Sequence, residues 1–288
     1  MRLEVVTTTG RLRAAMHTMI TLLAILIVFI IVLRLMENSM IYFPSKYPEG
    51  FWSPAELGVA AEDCFFTTEG GLRLHGWYAP EEGAPHTLLW FHGNAGSISH
   101  RLDHLKMLLE QVRVNIFMVD YRGYGRSQGA PDESGLYKDA QAAYDYLVSQ
   151  KHTEADRLVG YGQSLGGAVA IDLARTRPLA GLIIESSFTS AKDMAKILYP
   201  FLPIHYFLGV RFEAAAKIAQ LHLPVLIMHG TADEIIPFEM GKRLFAAANE
   251  PKEFYPIRGA THNDPYLVGG DGYYATIREF IERLPDQR

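Results

Sequence analysis

The chain has 288 residues, a formal net charge of -5 and 49% hydrophobic residues, enough for one large α/β domain or two small ones with a sizeable core. The acidic balance and the lack of a concentrated Lys/Arg run leave no electrostatic footprint for nucleic acid. One cysteine, Cys64, excludes an internal disulfide and a cysteine-rich zinc site, and eleven scattered histidines with no HExxH pair argue against a metal enzyme.

After a short tail over 1–13, Ala14 to Leu33 reads AAMHTMITLLAILIVFIIVL. The stretch is uncharged and close to the ~20 residues that cross a bilayer as a helix, so a transmembrane helix is expected over 14–35. A cleaved signal peptide is the competing reading, but its apolar core is usually shorter, and no small-x-small site follows in RLMENSMIYFP. Arg2, Arg11 and Arg13 precede the span, while Arg34 and Lys46 follow it. That balance favours a cytoplasmic N-terminus with the large domain on the opposite side. Met40 to Pro54, rich in aromatics and prolines, is expected to belong to a juxtamembrane linker over 36–60 that lies along the membrane or the domain surface.

Regular alternation starts from there. Glu62 to Thr68 and Leu72 to Ala79 flank Glu69-Gly70-Gly71 as a hairpin, with Cys64 expected as a buried strand residue. His86 to Phe91 is a continuous apolar strand, followed by HGNAG and a helix to about Glu110. The strand Asn115 to Val119 runs into the DYRGYGRS turn, where Asp120 and Arg122 read as residues that order the neighbouring loop. Asp132 to Gln150 is helical, with Leu136, Ala140, Ala143, Tyr144 and Leu147 on one face. Strands at Gly181 to Glu185, Val225 to Met228 and Glu253 to Pro256 then alternate with helices at Phe238 to Ala248 and Gly272 to Arg283. The order predicts an α/β domain over 61–288: a mostly parallel central sheet with helices on both faces, opened by an antiparallel N-terminal hairpin.

The chemistry is concentrated in LVGYGQSLGGAVAIDLA, Leu158 to Ala174, which reads as a strand, a sharp turn and a helix. Gly162 and Gly166, two positions either side of Ser164, leave room for strand and helix to approach closely. A serine at such an apex projects its oxygen at a helix N-terminus and reads as a nucleophile. It needs an acid and then a histidine past later strand ends, and Asp233 in HGTADE and His262 in GATHND supply that order. His262 would take the serine proton and Asp233 would fix the imidazole tautomer. Glu185, Glu234 and Asp264 are the competing acids. The backbone N–H groups of Leu165 and Asn94 are the expected oxyanion donors, with Ala95 next after Asn94. His92 is expected to pack and hydrogen-bond under that loop.

Between the strands at Glu185 and Val225, Phe188 to Leu223 is apolar and occupies the position of a cap. It would line an acyl pocket and lean on the membrane, or else pack as a helix against the sheet.

With these residues in view, the chain resembles the α/β-hydrolase superfamily, and within it the membrane-anchored α/β-hydrolase-domain (ABHD) branch. The likeness covers roughly Phe65 to Ile281. It is carried by HGNAG followed by Ser99-His100-Arg101-Leu102, by DYRGYGRS, Gly135-Leu136-Tyr137 and SLGGAVA, and by THND at Thr261 to Asp264. The resemblance implies an N-terminal membrane segment and matches Ser164, Asp233 and His262 to the family's triad. It also matches Asn94 and Leu165 to the oxyanion positions, and some eukaryotic members remove palmitoyl groups from protein cysteines. Gln163 stands where relatives often have His or Arg.

The expected activity is hydrolysis of carboxylic esters or thioesters through an acyl-serine intermediate, without a cofactor. The substrate would be a small-molecule or lipidic acyl compound, or an acylated protein. A serine peptidase on the same residues is the variant, and a non-catalytic membrane-tethered binding module is the rival class.

Overall fold

The computed structural model describes residues 8–47 and 53–285. The expected tail is therefore described only from Thr8 and the linker only outside 48–52; Arg2 and residues 286–288 lie outside the described residues.

Among the described residues eight strands form one sheet: β1 (Glu62–Thr67), β2 (Arg73–Ala79), β3 (Thr87–Phe91), β4 (Asn115–Asp120), β5 (Leu158–Gln163), β6 (Gly181–Glu185), β7 (Val225–Gly230) and β8 (Lys252–Ile257). Their spatial order is β1-β2-β4-β3-β5-β6-β7-β8. The β1–β2 and β2–β4 pairs are antiparallel and the rest are parallel. β3, β6 and β7 are buried along their whole length, which is why they read as unbroken apolar runs.

Successive residues of β3 feed opposite cores. Leu89 and Phe91 join the side covered by α3 (Glu133–Gln150), α4 (Leu165–Thr176), α6 (Ala214–Ile218) and α7 (Phe238–Ala247). Leu88 and Trp90 join the side covered by α2 (Leu102–Val112) and α8 (Gly270–Glu282). Leu136, Ala140, Ala143, Tyr144 and Leu147 of α3 are all buried, and Asp132 caps that helix by accepting from Gly135 N–H at 2.9 Å. Cys64 is buried on β1.

The first helix, α1 (Thr8–Ile41), is long and apolar enough to cross a membrane by length and composition. It extends the sequence expectation at both ends, since it begins within the expected tail and continues past position 35 into the expected linker. The reason lies in packing: Leu33, Glu37 and Ile41 recur every fourth residue on one helical face, and that face turns toward the domain, burying Leu33 and Glu37. The chain then runs along the domain. Phe43–Pro44 pairs in parallel with Ala95–Gly96, and Tyr47 stacks on Trp77 with ring centroids 5.5 Å apart.

The segment expected as a cap, 188–223, divides in two. α5 (Ala191–Leu198), the turn Pro203–Tyr206 and the link between them carry the exposed Leu198, Phe201, Leu202 and Tyr206. The part that follows, with Phe212, Ala214 and Ile218, is buried in the core against α4.

Candidate active site

Ser164 ends the β5-to-α4 turn at φ 53°, ψ -118°, a backbone region that costs a non-glycine residue roughly 1–3 kcal/mol and persists only where the surroundings enforce it. They do so here. Ser164 N–H donates to Glu185 O at 2.9 Å, while Ser164 O accepts from Gly167 N–H at 3.0 Å and from Ser187 Oγ at 2.8 Å. The flanking glycines are a steric necessity: a Cβ on Gly166 would lie 2.0 Å from Phe91 O, and one on Gly162 would lie 2.3 Å from Gly166 O.

The structure brings the three predicted side chains together. His262 Nε2 is 3.1 Å from Ser164 Oγ, and His262 Nδ1 is 2.8 Å from Asp233 Oδ2. Asp233 lies just past β7 and His262 just past β8. Asp233 Oδ1 accepts from the N–H groups of Ile235 and Ile236 at 3.0 and 2.7 Å, and His229 Nε2 lies 3.4 Å from Oδ2. Burial alone would raise this carboxyl. The hydrogen bonds from His229, His262 and Ile236 outweigh that and hold it well below the usual carboxylate range. Asp233 therefore remains an anion that can only accept, which places the Nδ1 proton of His262 toward it and leaves Nε2 free to take a proton from Ser164.

The competing acids are occupied elsewhere. Glu234 Oε2 accepts from the backbone N–H of His262 at 3.3 Å, and Asp264 Oδ1 from that of Thr261 at 2.7 Å. Both shape the histidine loop. Glu185 is buried and accepts from Tyr161 OH at 2.8 Å, from Gln163 Nε2 at 2.8 Å and from Tyr273 OH.

The two expected oxyanion donors flank the serine. Leu165 opens α4, and the loop bearing Asn94 passes so near that a Cβ on Gly93 would lie 3.4 Å from Ser164 Cβ. Asn94, Ser164 and Leu165 line one cavity of about 250 Å³. Several groups brace the loop. Arg101 donates to Ala95 O at 2.9 Å and to Ser97 O at 2.8 Å, Tyr124 OH to Asn94 O at 2.7 Å, and Tyr121 OH to His92 O at 2.9 Å. His92 is fully buried beneath it, with Nδ1 2.7 Å from Gly93 O, and burial pushes its pKa down to about 3. Asp120 accepts from Ile98 N–H at 3.0 Å, and Arg122 forks onto buried Asp139 at 2.8–3.1 Å.

Two features escaped the sequence reading. Gln163 is the centre of a buried polar network: it accepts from Trp90 Nε1 at 2.9 Å, donates to Glu185, and lies 3.4 Å from His104 Nδ1. His104 Nε2 in turn lies 3.1 Å from Tyr273 OH. Burial pushes His104 down to about 3 and raises the Glu185 carboxyl above its usual range despite the hydrogen bonds it accepts. The other feature is that Leu33, Glu37, Met40 and Ile41 of α1 line the cavity that holds Ser164. Only the four-residue spacing of Leu33, Glu37 and Ile41 hinted at a docked face.

This order of strands, with a serine on a strained strand-to-helix turn, has clear counterparts. A family model described as "Serine aminopeptidase, S33" matches residues 84–209. Alpha/beta hydrolase domain-containing protein WAV2 of Arabidopsis thaliana is 35% identical over 280 residues, 88% of this chain and 90% of that one. The chain belongs to the α/β-hydrolase family. Among its relatives, protein bem46 of Schizosaccharomyces pombe is 34% identical over 258 residues and covers 85% of each chain. Uncharacterized protein Rv2307c of Mycobacterium tuberculosis is 38% identical over 247 residues, 85% of this chain and 87% of that one. Among solved structures, the Pyrococcus furiosus esterase Pf2001 superposes with a TM-score of 0.69 at 20% identity, covering 85% of this chain and 98% of that one, which establishes the shared fold.

Proposed function

We propose that the protein is a membrane-anchored serine hydrolase that cleaves carboxylic ester or thioester bonds of acyl compounds. Ser164 Oγ attacks the acyl carbon as His262 Nε2 takes its proton, and Asp233 holds the imidazole and stabilises its charged form. The backbone N–H groups of Asn94 and Leu165 receive the oxyanion. The leaving alcohol or thiol departs with the proton from His262. Water, deprotonated by the same nitrogen, then releases the acid from acyl-Ser164.

The observation that carries this reading is the continuous hydrogen-bonded line Ser164–His262–Asp233 opening into a largely apolar cavity. Anchoring by α1 is supported by its apolar length and by its docked end, which a cleaved leader would not retain. We place the N-terminus in the cytoplasm and the domain across the membrane, from the arginines before the span.

The test is labelling with a fluorophosphonate, together with turnover of a p-nitrophenyl ester series and a palmitoyl thioester, by wild type and Ser164→Ala. Loss of both in the variant is the expected result, and a folded wild type that never labels refutes the activated nucleophile. The family description favours a second reading, a serine peptidase on the same residues. Turnover of an aminoacyl amide faster than of any ester would establish it.

A further inference from the structure

Three separate contacts build the end of α1 into the site. The first is a latch. The Glu37 carboxylate, 6% exposed, accepts through Oε1 from the N–H groups of Gly209 and Val210 at 2.7 and 2.8 Å, with Arg34 Nη1 3.4 Å from Oε2. The fit is close enough that a Cβ on Gly209 would fall 1.5 Å from Arg34 Nη1. The adjoining amides, Arg211 and Phe212, are held by Glu133 of α3 at 2.7 and 2.8 Å. Two carboxylates thus grip four successive N–H groups, and one of the two belongs to the apolar helix.

The second contact reaches the oxyanion loop. Asn94 Nδ2 donates to Ile41 O at 2.9 Å, and Phe43 N–H donates to Asn94 O at 3.0 Å. The third lies between rings: Phe207 meets Phe29 edge-on at 6.4 Å, so the cap touches α1 inside its uncharged stretch.

We propose that α1 is a working wall of the active site, and that Leu33 and Met40, held in place by the Glu37 latch, select the length of the acyl chain. The chain would reach Ser164 alongside the helix, out of the apolar layer the helix occupies. This inference rests on the hydrolase reading above. Leu33 and Met40 line the same cavity as Ser164, and exposed Leu198, Phe201 and Leu202 extend the apolar surface of the cap. Each further methylene buried against such a wall favours binding about fourfold, so filling or emptying the wall changes long chains far more than short ones.

The test uses the full chain in detergent micelles, with Leu33→Trp, Leu33→Ala and, as control, Leu35→Trp, whose side chain is 80% exposed. Each is labelled with fluorophosphonate and assayed on a p-nitrophenyl ester series from acetate through octanoate to palmitate. Leu33→Trp is expected to lower the octanoate-to-acetate ratio of kcat/KM at least tenfold, Leu33→Ala to move the optimum to longer chains, and Leu35→Trp to keep the wild-type ratio. A labelled Leu33→Trp with an unchanged ratio overturns the proposal. Should that variant fail to label because the bulk displaces the helix, Leu33→Ala decides, and an unchanged optimum there overturns it equally. An unlabelled, inactive wild type is a different failure, that of the hydrolase reading itself.

Discussion

Acid should destabilise the fold as a whole, and the size of the effect follows from two buried histidines. His92 and His104 are fully buried, and burial pushes each from the ordinary 6.5 to about 3. Folded, they bind no proton above about pH 3; unfolded, they bind one below 6.5. The unfolded chain thus takes up more protons between those limits, and stability is lost as pH falls through that window. For one such group the loss from pH 7.5 to 5.5 is about 1.4 kcal/mol, and for the pair about 2.8 kcal/mol. That is a large share of the ~5–15 kcal/mol that holds a typical domain together.

Urea denaturation of the full chain in detergent, followed by the fluorescence of buried Trp77 and Trp90, measures this gap. His92→Gln and His104→Gln should each be less stable than wild type at pH 7.5, yet each should lose about 1.4 kcal/mol less on going to pH 5.5. If both variants keep the full wild-type gap, the acid sensitivity arises elsewhere and the reasoning from burial is wrong.

Four further outcomes are expected. Asp233→Asn, which removes the anion that fixes the Nδ1 proton of His262, should lower kcat by about 10⁴ with little change in KM, read on a p-nitrophenyl ester. Asn94→Ala keeps the backbone N–H and loses the side-chain bond to Ile41 O, so kcat should fall by about tenfold; a fall of ~10² or more would make the side chain itself an oxyanion donor. Glu185 has a raised folded pKa, so its contribution is present below the ordinary 4.5 and is lost as pH rises through the folded value. Glu185→Gln should therefore gain stability relative to wild type as pH increases, in the same urea series. Asp139→Asn removes the buried negative charge under the Arg122 fork and should cost about 3–5 kcal/mol in urea.

Much of the sheet was legible because burial on both faces writes strands as short apolar runs, as at Leu182–Ile184 and Leu226–Met228. The elbow was legible for a steric reason, since a strained serine tolerates only small neighbours where Phe91 O and Gly166 O approach. Proximity was harder to read. Glu185, Glu234 and Asp264, like Asp233, end or follow strands of the sheet, and only the folded chain turns them onto Tyr161, the His262 amide and the Thr261 amide. The Gln163 network was invisible for a related reason: its partners Trp90, His104, Glu185 and Tyr273 come from four different elements.

Hydropathy likewise marks α1 as apolar but is silent on what its end does. Glu37 falls in sequence within the stretch expected as a juxtamembrane linker, whereas in the fold it is a buried acceptor for amides 172 and 173 residues away. Excision of α1 as a leader would leave the Gly209 and Val210 N–H groups without their acceptor, at roughly 1–3 kcal/mol for each one that stays buried. It would also open the cavity along the side now closed by Leu33 and Ile41. The same cut would release Asn94 Nδ2 from Ile41 O and so free the loop whose amide is proposed to hold the oxyanion. A segment that served only to target the chain has no reason to carry a latch, a cavity wall and a brace for the reacting loop on one helical face. On the proposed reading, retention of the helix is part of how the site is built, and anchoring and substrate selection become one structural problem.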